Sequence, residues 1–420
     1  MPVGKPTRYM SSIMLMVTLL LTPHAQTMAD PATMTGKQHS SEFKTASSDM
    51  VNSPQEQAIK TRRSLFEAAA AGDTEKIKQL LDEGANIHLR DDKERTLLMI
   101  AAGKGQQNTV DFLLARGASA SAEDSDHRSV LMHAANGGNI DIVKILLSHG
   151  ADISALDKQK RTALQWAALS GHTEICQLLL TKGSNINHTE QWGVSALQYA
   201  LGIGHDATAV MLIRQGAGIK NLMPKSGLNT LMLASGKSCY KSAGLLIEKG
   251  IDVNAVSLGG TTALMEAAGA GDEKMIRLLL ANKVEVNARS RTGVSALGYA
   301  INHGDPVIVE FLLKNGADAN IRQQVNIPSL VLATVNGNPA MVKLLLEHGA
   351  DVNQGDPRGF TALMSAAQFG RIELIELLLQ HKANPELKDI SGKTAMMWAE
   401  AGRHMQVVEL LKNYKPGNKQ

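Results

Sequence analysis

The chain predicts an all-helical solenoid of about eleven stacked helix-turn-helix units with short β-hairpin loops. Three observations carry this. The tetrapeptide Thr96-Leu97-Leu98-Met99 returns at 33-residue intervals as Ser129-Val130-Leu131-Met132, Thr162-Ala163-Leu164-Gln165 and Ser195-Ala196-Leu197-Gln198. After one 34-residue step it continues from Asn229, Thr262, Ser295, Pro328, Thr361 and Thr394. Within each period, apolar residues recur at helical spacing between a capping side chain and a closing glycine. The composition is 44% apolar but only 3% aromatic, with 19 Met, so the core is built from Ala, Leu, Ile, Val and Met, which suit closely packed helices.

The elements follow in chain order. Lys5 and Arg8 precede an apolar run from Ile13 to Leu21, broken by Pro23 and followed by the small-residue stretch Thr27-Met28-Ala29. Residues 1–29 therefore read as a secretory signal peptide. The run is about half of the ~20 residues that span a bilayer, so no membrane span is expected after cleavage. Residues 30–60 are rich in Ser, Thr, Gln, Lys and Asp, and read as a flexible polar linker. Ser64-Leu65-Phe66-Glu67 has the pattern of a capping box and is expected to start the first helix. The solenoid then occupies residues 61–415, with a tail at 416–420.

The unit is clearest in the fourth copy. Thr162 caps a helix whose apolar face is Leu164, Ala167 and Ala168, and Ser170-Gly171-His172 breaks it. A second helix buries Ile175, Cys176, Leu179 and Leu180 and ends at Gly183, where a left-handed residue costs least. Asn185-Ile186-Asn187 leads into the next hairpin. No unit can bury its own apolar face, so stability comes from stacking, with layers about 8–10 Å apart and a length of roughly 100 Å.

These residues carry a family resemblance. Gly-x-Thr-Ala-Leu-Met-x-Ala-Ala at Gly260–Ala268 and Gly359–Ala367 resembles the ankyrin repeat. So does Leu-Leu-x-x-Gly-Ala-Asp-x-Asn at Leu312–Asn320 and Leu345–Asn353. The chain departs from the family pattern where Pro would follow the capping Thr, since Leu97, Val130 and Ala163 stand there, and where the following His is mostly Met. Lys283 and Lys382 replace the closing Gly, at up to about 1 kcal/mol each. The spacing of 34 between the fifth and sixth copies coincides with Thr208-Ala209 and Ser242-Ala243 in place of Ile-Val pairs, and with Ser238 in place of the inter-helix Gly. A weaker segment is expected around residues 200–245.

Catalytic and metal-binding patterns are absent. Gly236-Lys237-Ser238 lacks the glycine of a phosphate-binding loop, because position 231 is Leu. No His-Glu-x-x-His, zinc-spaced Cys/His cluster or Gly-x-Ser-x-Gly occurs. Cys176 and Cys239 lie two repeats apart, too far to pair. The formal charge of +3 does not point to nucleic acid. No enzyme activity, cofactor or metal is expected.

Partner-binding candidates come from positions followed through the repeats. Arg95, Arg128 and Arg161 precede the capping residue in three successive hairpins, and Val194, Leu228 and Phe360 stand there later. Trp166, Tyr199 and Tyr299, with Trp398, recur on the first helix. The Arg row suits an acidic partner and the apolar residues an apolar one. The alternatives are local Arg–Asp pairs, for instance to Asp124 or Asp157, and packing for the aromatics. The resemblance implies a non-enzymatic protein-interaction scaffold, here exported to the bacterial periplasm, with secretion as the alternative, and monomeric. Two other functions stand beside it: an inhibitor or immunity protein against one periplasmic enzyme or toxin, or an accessory in oxidative-stress defence; and an effector delivered into a host.

Overall fold

A computed structural model describes residues 54–414. The leader, most of the linker and the 416–420 tail lie outside the described residues. The described residues form eleven helix pairs, from Pro54–Ala71 with Thr74–Asp82 to Ala395–Ala401 with Met405–Asn413. Between pairs the hairpins carry isolated antiparallel bridges such as Arg90 with Thr96 and Glu123 with Ser129. The chain divides into two compact units that meet at Gly218 and Ile219. The division falls inside the stretch where the period slips.

In the first unit, the opening helix begins at Pro54, not at Ser64. Gln, Glu, Ala, Ile and Lys give that segment good helix propensity, and Pro is tolerated in a first turn. Ser64 is therefore a mid-helix residue, and Glu67 takes a hydrogen bond from Arg63 at 2.8 Å. The other first helices start as expected. Thr96, Ser129, Thr162 and Ser195 each accept the N–H of the residue three positions on. Three of those residues answer the cap: Gln165 Oε1 and Gln198 Oε1 accept the N–H of Thr162 and Ser195 at 3.0 and 2.9 Å, and Met99 Sδ accepts that of Thr96 at 3.4 Å. Met99, Gln165 and Gln198 thus reinforce these helix starts, the thioether more weakly.

Ala101, Ala102, Ala134, Ala135, Ala167 and Ala168 are fully buried between helices. Val110, Leu113, Ile142, Leu146 and Leu179 fill the space under them. A polar rung joins each layer to the one before it. His172 Nε2 lies 3.1 Å from the Asn136 carbonyl and His205 Nε2 lies 3.0 Å from that of Leu169. Gln106 Nε2 donates to the Ala70 carbonyl in the same way, at 3.1 Å. These carbonyls end helices and would otherwise be orphaned. Cys176, in this unit, is buried with a free thiol.

The second unit, from Ile219, repeats the plan with two departures. Its first hairpin closes with the Met223 N–H on the Leu228 carbonyl, one residue wider than the Asp91–Arg95 closure, which locates the extra residue of the period. The eighth hairpin contains a short 3-10 turn, Gln324–Asn326, with Val325 at φ 54° and Asn326 at φ 63°. Lys283 and Lys382 adopt φ 59° and 66°, the left-handed conformation their place demands, and Ser238 stands at 56°. An asparagine ladder ties successive hairpins. Asn254, Asn287, Asn320 and Asn353 Oδ1 accept the N–H of Glu285, Asp318, Asp351 and Asn384 at 2.7–2.8 Å. Cys239 is buried, with its Sγ 3.9 Å from the Lys237 carbonyl.

Candidate functional site

The richest arrangement of charged and aromatic groups lies in the first unit, where three hairpins meet the first helices beside them. Its foundation is a carboxylate five residues before each cap. Asp91 Oδ1 accepts the N–H of Lys93 and Arg95, both at 2.9 Å. Asp124 Oδ1 does the same for Asp126 and Arg128, and Asp157 Oδ1 for Gln159 and Arg161. Glu190 splits the task between its two oxygens, on Trp192 and Val194. Each acid therefore fixes its own hairpin. The tip residues Glu94, His127 and Lys160 stand at φ 58°, 58° and 63° without a glycine.

The second carboxylate oxygen decides what happens to the Arg row. Asp91 Oδ2 accepts from Arg95 Nε at 2.8 Å, and Asp157 Oδ2 from Arg161 Nε at 2.8 Å. Asp157 Oδ2 also accepts from Trp166 Nε1 at 3.1 Å. In the middle hairpin the pattern breaks, because Asp124 Oδ2 lies 2.9 Å from His133 Nε2. His133 occupies the helix position that Trp166 holds one repeat later. Arg128 consequently meets Asp126 at 3.5 Å instead, and its buried Nε has no hydrogen-bond partner. Its guanidinium carbon stands 4.7 Å from the Trp166 ring centre, and that of Arg161 stands 4.1 Å from the same ring. Each such contact is worth roughly 0.5–2 kcal/mol according to its exposure.

Burial pushes the Asp91 carboxyl up, but the Arg95 guanidinium and the loop N–H groups outweigh it and hold the carboxyl below its ordinary value. At Asp124 burial is likewise outweighed, here by His133 and the N–H groups of Arg128 and Asp126. Tyr199 is raised by burial and then by the Glu190 charge, against a hydrogen bond with Arg161.

In the second unit the same column changes character. Ser257, Ser290 and Gln323 replace the acid; the Ser257 and Ser290 hydroxyls still accept the loop N–H groups of Thr261 and Val294, whereas the Gln323 side chain turns to the Ser295 N–H of the preceding cap. The acid returns as Asp356 and Asp389, and Asp389 Oδ2 accepts from Trp398 Nε1 at 2.9 Å. The Ser391 hydroxyl, together with loop N–H groups and Trp398, holds Asp389 down to about 2 against burial. Where the loop acid is missing, Glu266 stands on the helix at the Trp166-equivalent position. Burial pushes its carboxyl up to about 7 in spite of a hydrogen bond with Thr261.

The candidates chosen from sequence are therefore placed unequally. The side chains of Arg95, Arg128 and Arg161 are 35%, 29% and 12% exposed, so that of Arg161 is the most covered. Val194, Leu228 and Phe360 are buried, so their side chains form no apolar surface. The residue before the cap stands at the base of the hairpin, and Phe360 packs edge-on against Trp398 at 5.3 Å. Tyr199 is buried, while Trp166 and Tyr299 are half-buried. Among the hairpin residues, exposed apolar side chains stand nearer the tips, as at Trp192, Leu258, Val325 and Ile390. Asp91, Asp124 and Asp157 recur at the repeat interval and were readable as a column, and His133 breaks the aromatic series beside it. Among the described residues no group of His, Cys, Asp and Glu is placed to hold a metal ion. No helix among them is long and apolar enough to cross a membrane.

Paired helices, hairpin bridges and a repeating capped first helix define a helical repeat protein with a ready-made interaction surface. The sequence profile for ankyrin repeats (three copies) matches residues 65–157, 117–190, 164–257, 253–323 and 330–420, and the chain belongs to the ankyrin-repeat family. A comparison with curated proteins finds no match.

Proposed function

We propose that this ankyrin-repeat chain is a non-enzymatic scaffold of the bacterial periplasm that holds a protein partner on the hairpins and first-helix face of its first unit. Ankyrin repeats support protein–protein binding, and periplasmic action rests on the leader pattern of residues 1–29. One observation carries the choice of face. Arg128, Arg161 and Trp166 are fixed by hydrogen bonds and stacking on rigid hairpins while part of each remains open to solvent. Preordered Arg and Trp side chains lose little entropy on binding and are favoured anchors at interfaces.

Two measurements test the reading. The protein recovered from cells by osmotic shock is expected to begin at Asp30, and an uncleaved protein in the cytoplasm would remove the periplasmic assignment. Cross-linked affinity capture from an envelope extract is expected to recover a partner that is lost when Arg128 and Arg161 are both changed to Glu. Recovery unaffected by that double change would move the interface elsewhere.

A further inference from the structure

The three arginines of the row are chemically distinct, and the middle one is set up to receive an external anion. Arg95 and Arg161 each place Nε on their own aspartate at 2.8 Å, so their charge is matched inside the fold. Arg128 lacks the equivalent bond, and His133 Nε2 lies 2.9 Å from the oxygen it would use. One repeat later Asp157 Oδ2 takes both Arg161 Nε and Trp166 Nε1, whereas Asp124 Oδ2 meets His133 and leaves Arg128 aside. What remains for Arg128 is a 3.5 Å ion pair with Asp126, itself one-third exposed, and the face of Trp166.

The ring supplies attraction without hydrogen-bond acceptors, so it positions the guanidinium while leaving its donors unspent. Surroundings add to this. The Lys158 N–H donates to the Asp126 carbonyl, which sets the second and third hairpins side by side. The third hairpin tip carries exposed Lys158 and Lys160, and its one acid, Asp157, is buried under Arg161.

We propose that Arg128, stacked on Trp166 and flanked by Lys158 and Lys160, is a recognition site for a carboxylate on an acidic segment of a partner protein, and that His133 creates it by taking Asp124 away. The incoming carboxylate meets the terminal nitrogens of the guanidinium, because Nε is covered. Binding replaces the long Asp126 contact with charge-assisted hydrogen bonds, roughly twice as strong as neutral ones. This rests on the scaffold reading and names the chemistry of its partner.

The experiment is a fluorescence titration of the full-length mature protein carrying Trp192→Phe and Trp398→Phe, with acetylated hexaglutamate as the probe and hexalysine as the control. Trp166 reports on the guanidinium above it. A saturable change with hexaglutamate only is expected. Arg128→Gln should weaken the response at least tenfold, and Arg95→Gln should leave it within twofold. His133→Phe should weaken it severalfold, because Asp124 is then free to capture Arg128. This variant keeps a full complement of arginines and guards against Arg128→Gln simply loosening the fold, which thermal melting also checks. No saturable response, or equal losses from Arg95→Gln and Arg128→Gln, overturns the site. A partner still captured from the envelope after that result would leave the scaffold standing without this site.

Discussion

Glu266 shows what one residue does when the repeat places it and chemistry does not suit it. It fills a position occupied elsewhere by His133, Trp166 and Tyr299, and it is buried with Thr261 as its hydrogen-bond partner. Its carboxyl is raised from 4.5 to about 7, so the folded chain holds a proton that the unfolded chain releases. Stability is therefore greatest below about pH 4.5 with respect to this group, and falls as pH rises towards 7. The loss amounts to at most about 3 kcal/mol. Glu266→Gln should remove that slope and raise the melting temperature above pH 7, measured by thermal melts between pH 5 and pH 8. A variant that melts like the parent at pH 8 would show that the carboxyl is relieved by water. Val325 is a second residue-scale case. A β-branched residue at φ 54° is strained, and it is 74% exposed with little packing in return. Val325→Gly is expected to stabilise the chain by about 1 kcal/mol in denaturant unfolding. The Arg row was legible as a column in the sequence. Its inequality was not, because it depends on which donor reaches a carboxylate oxygen, and that is a matter of ångströms.

At the scale of the element, the capped first helix is so strongly specified that a missing part is supplied from elsewhere. Position 298 is Gly, where most other repeats carry Met or Gln and where Met99, Gln165, Gln198 and Met364 answer the cap. Gln323 from the following hairpin enters that space, and its Oε1 accepts the Ser295 N–H at 2.9 Å. Its Nε2 donates to the Ser295 and Ser329 hydroxyls. A Cβ at 298 would stand 2.2 Å from Gln323 Oε1, so the two residues are a matched pair. Gln323→Ala leaves a buried N–H unsatisfied and should cost about 1–3 kcal/mol. Gly298→Gln alone should also destabilise by crowding, and Gly298→Gln with Gln323→Ser should recover much of both losses. A double-mutant cycle by urea unfolding measures the coupling, and strictly additive losses would refute it. Helix starts at Thr and Ser were readable because cap and apolar face coincide. The start at Pro54 was not, since Ser64 and Glu67 imitate a cap inside a longer helix whose first turns carry no apolar periodicity.

For the whole molecule, the period made the fold legible, and its single slip marks the place where the molecule departs from uniformity. In a stack, each repeat draws stability from its own core and its neighbours, so local weakness stays local. The fifth repeat buries Thr208 and Ala209 where the third buries Ile142 and Val143. The sixth buries Ser242 and Ala243, and its Ser235 hydroxyl is buried without a hydrogen-bond partner. Replacing Ile-Val with Thr-Ala or Ser-Ala removes several methyl groups from water-excluded contact, at roughly 0.8 kcal/mol per buried methylene. Ser238 adds a left-handed backbone without glycine at φ 56°. These losses fall around the junction at Gly218, where the two compact units divide. Amides in residues 200–245 should therefore exchange at least tenfold faster than those of the third and ninth repeats, read by hydrogen–deuterium exchange mass spectrometry on the mature protein. Thr208→Ile with Ala209→Val should slow the fifth repeat towards the third. Equal protection across all three regions would mean that the slip in period is absorbed without loss of stability.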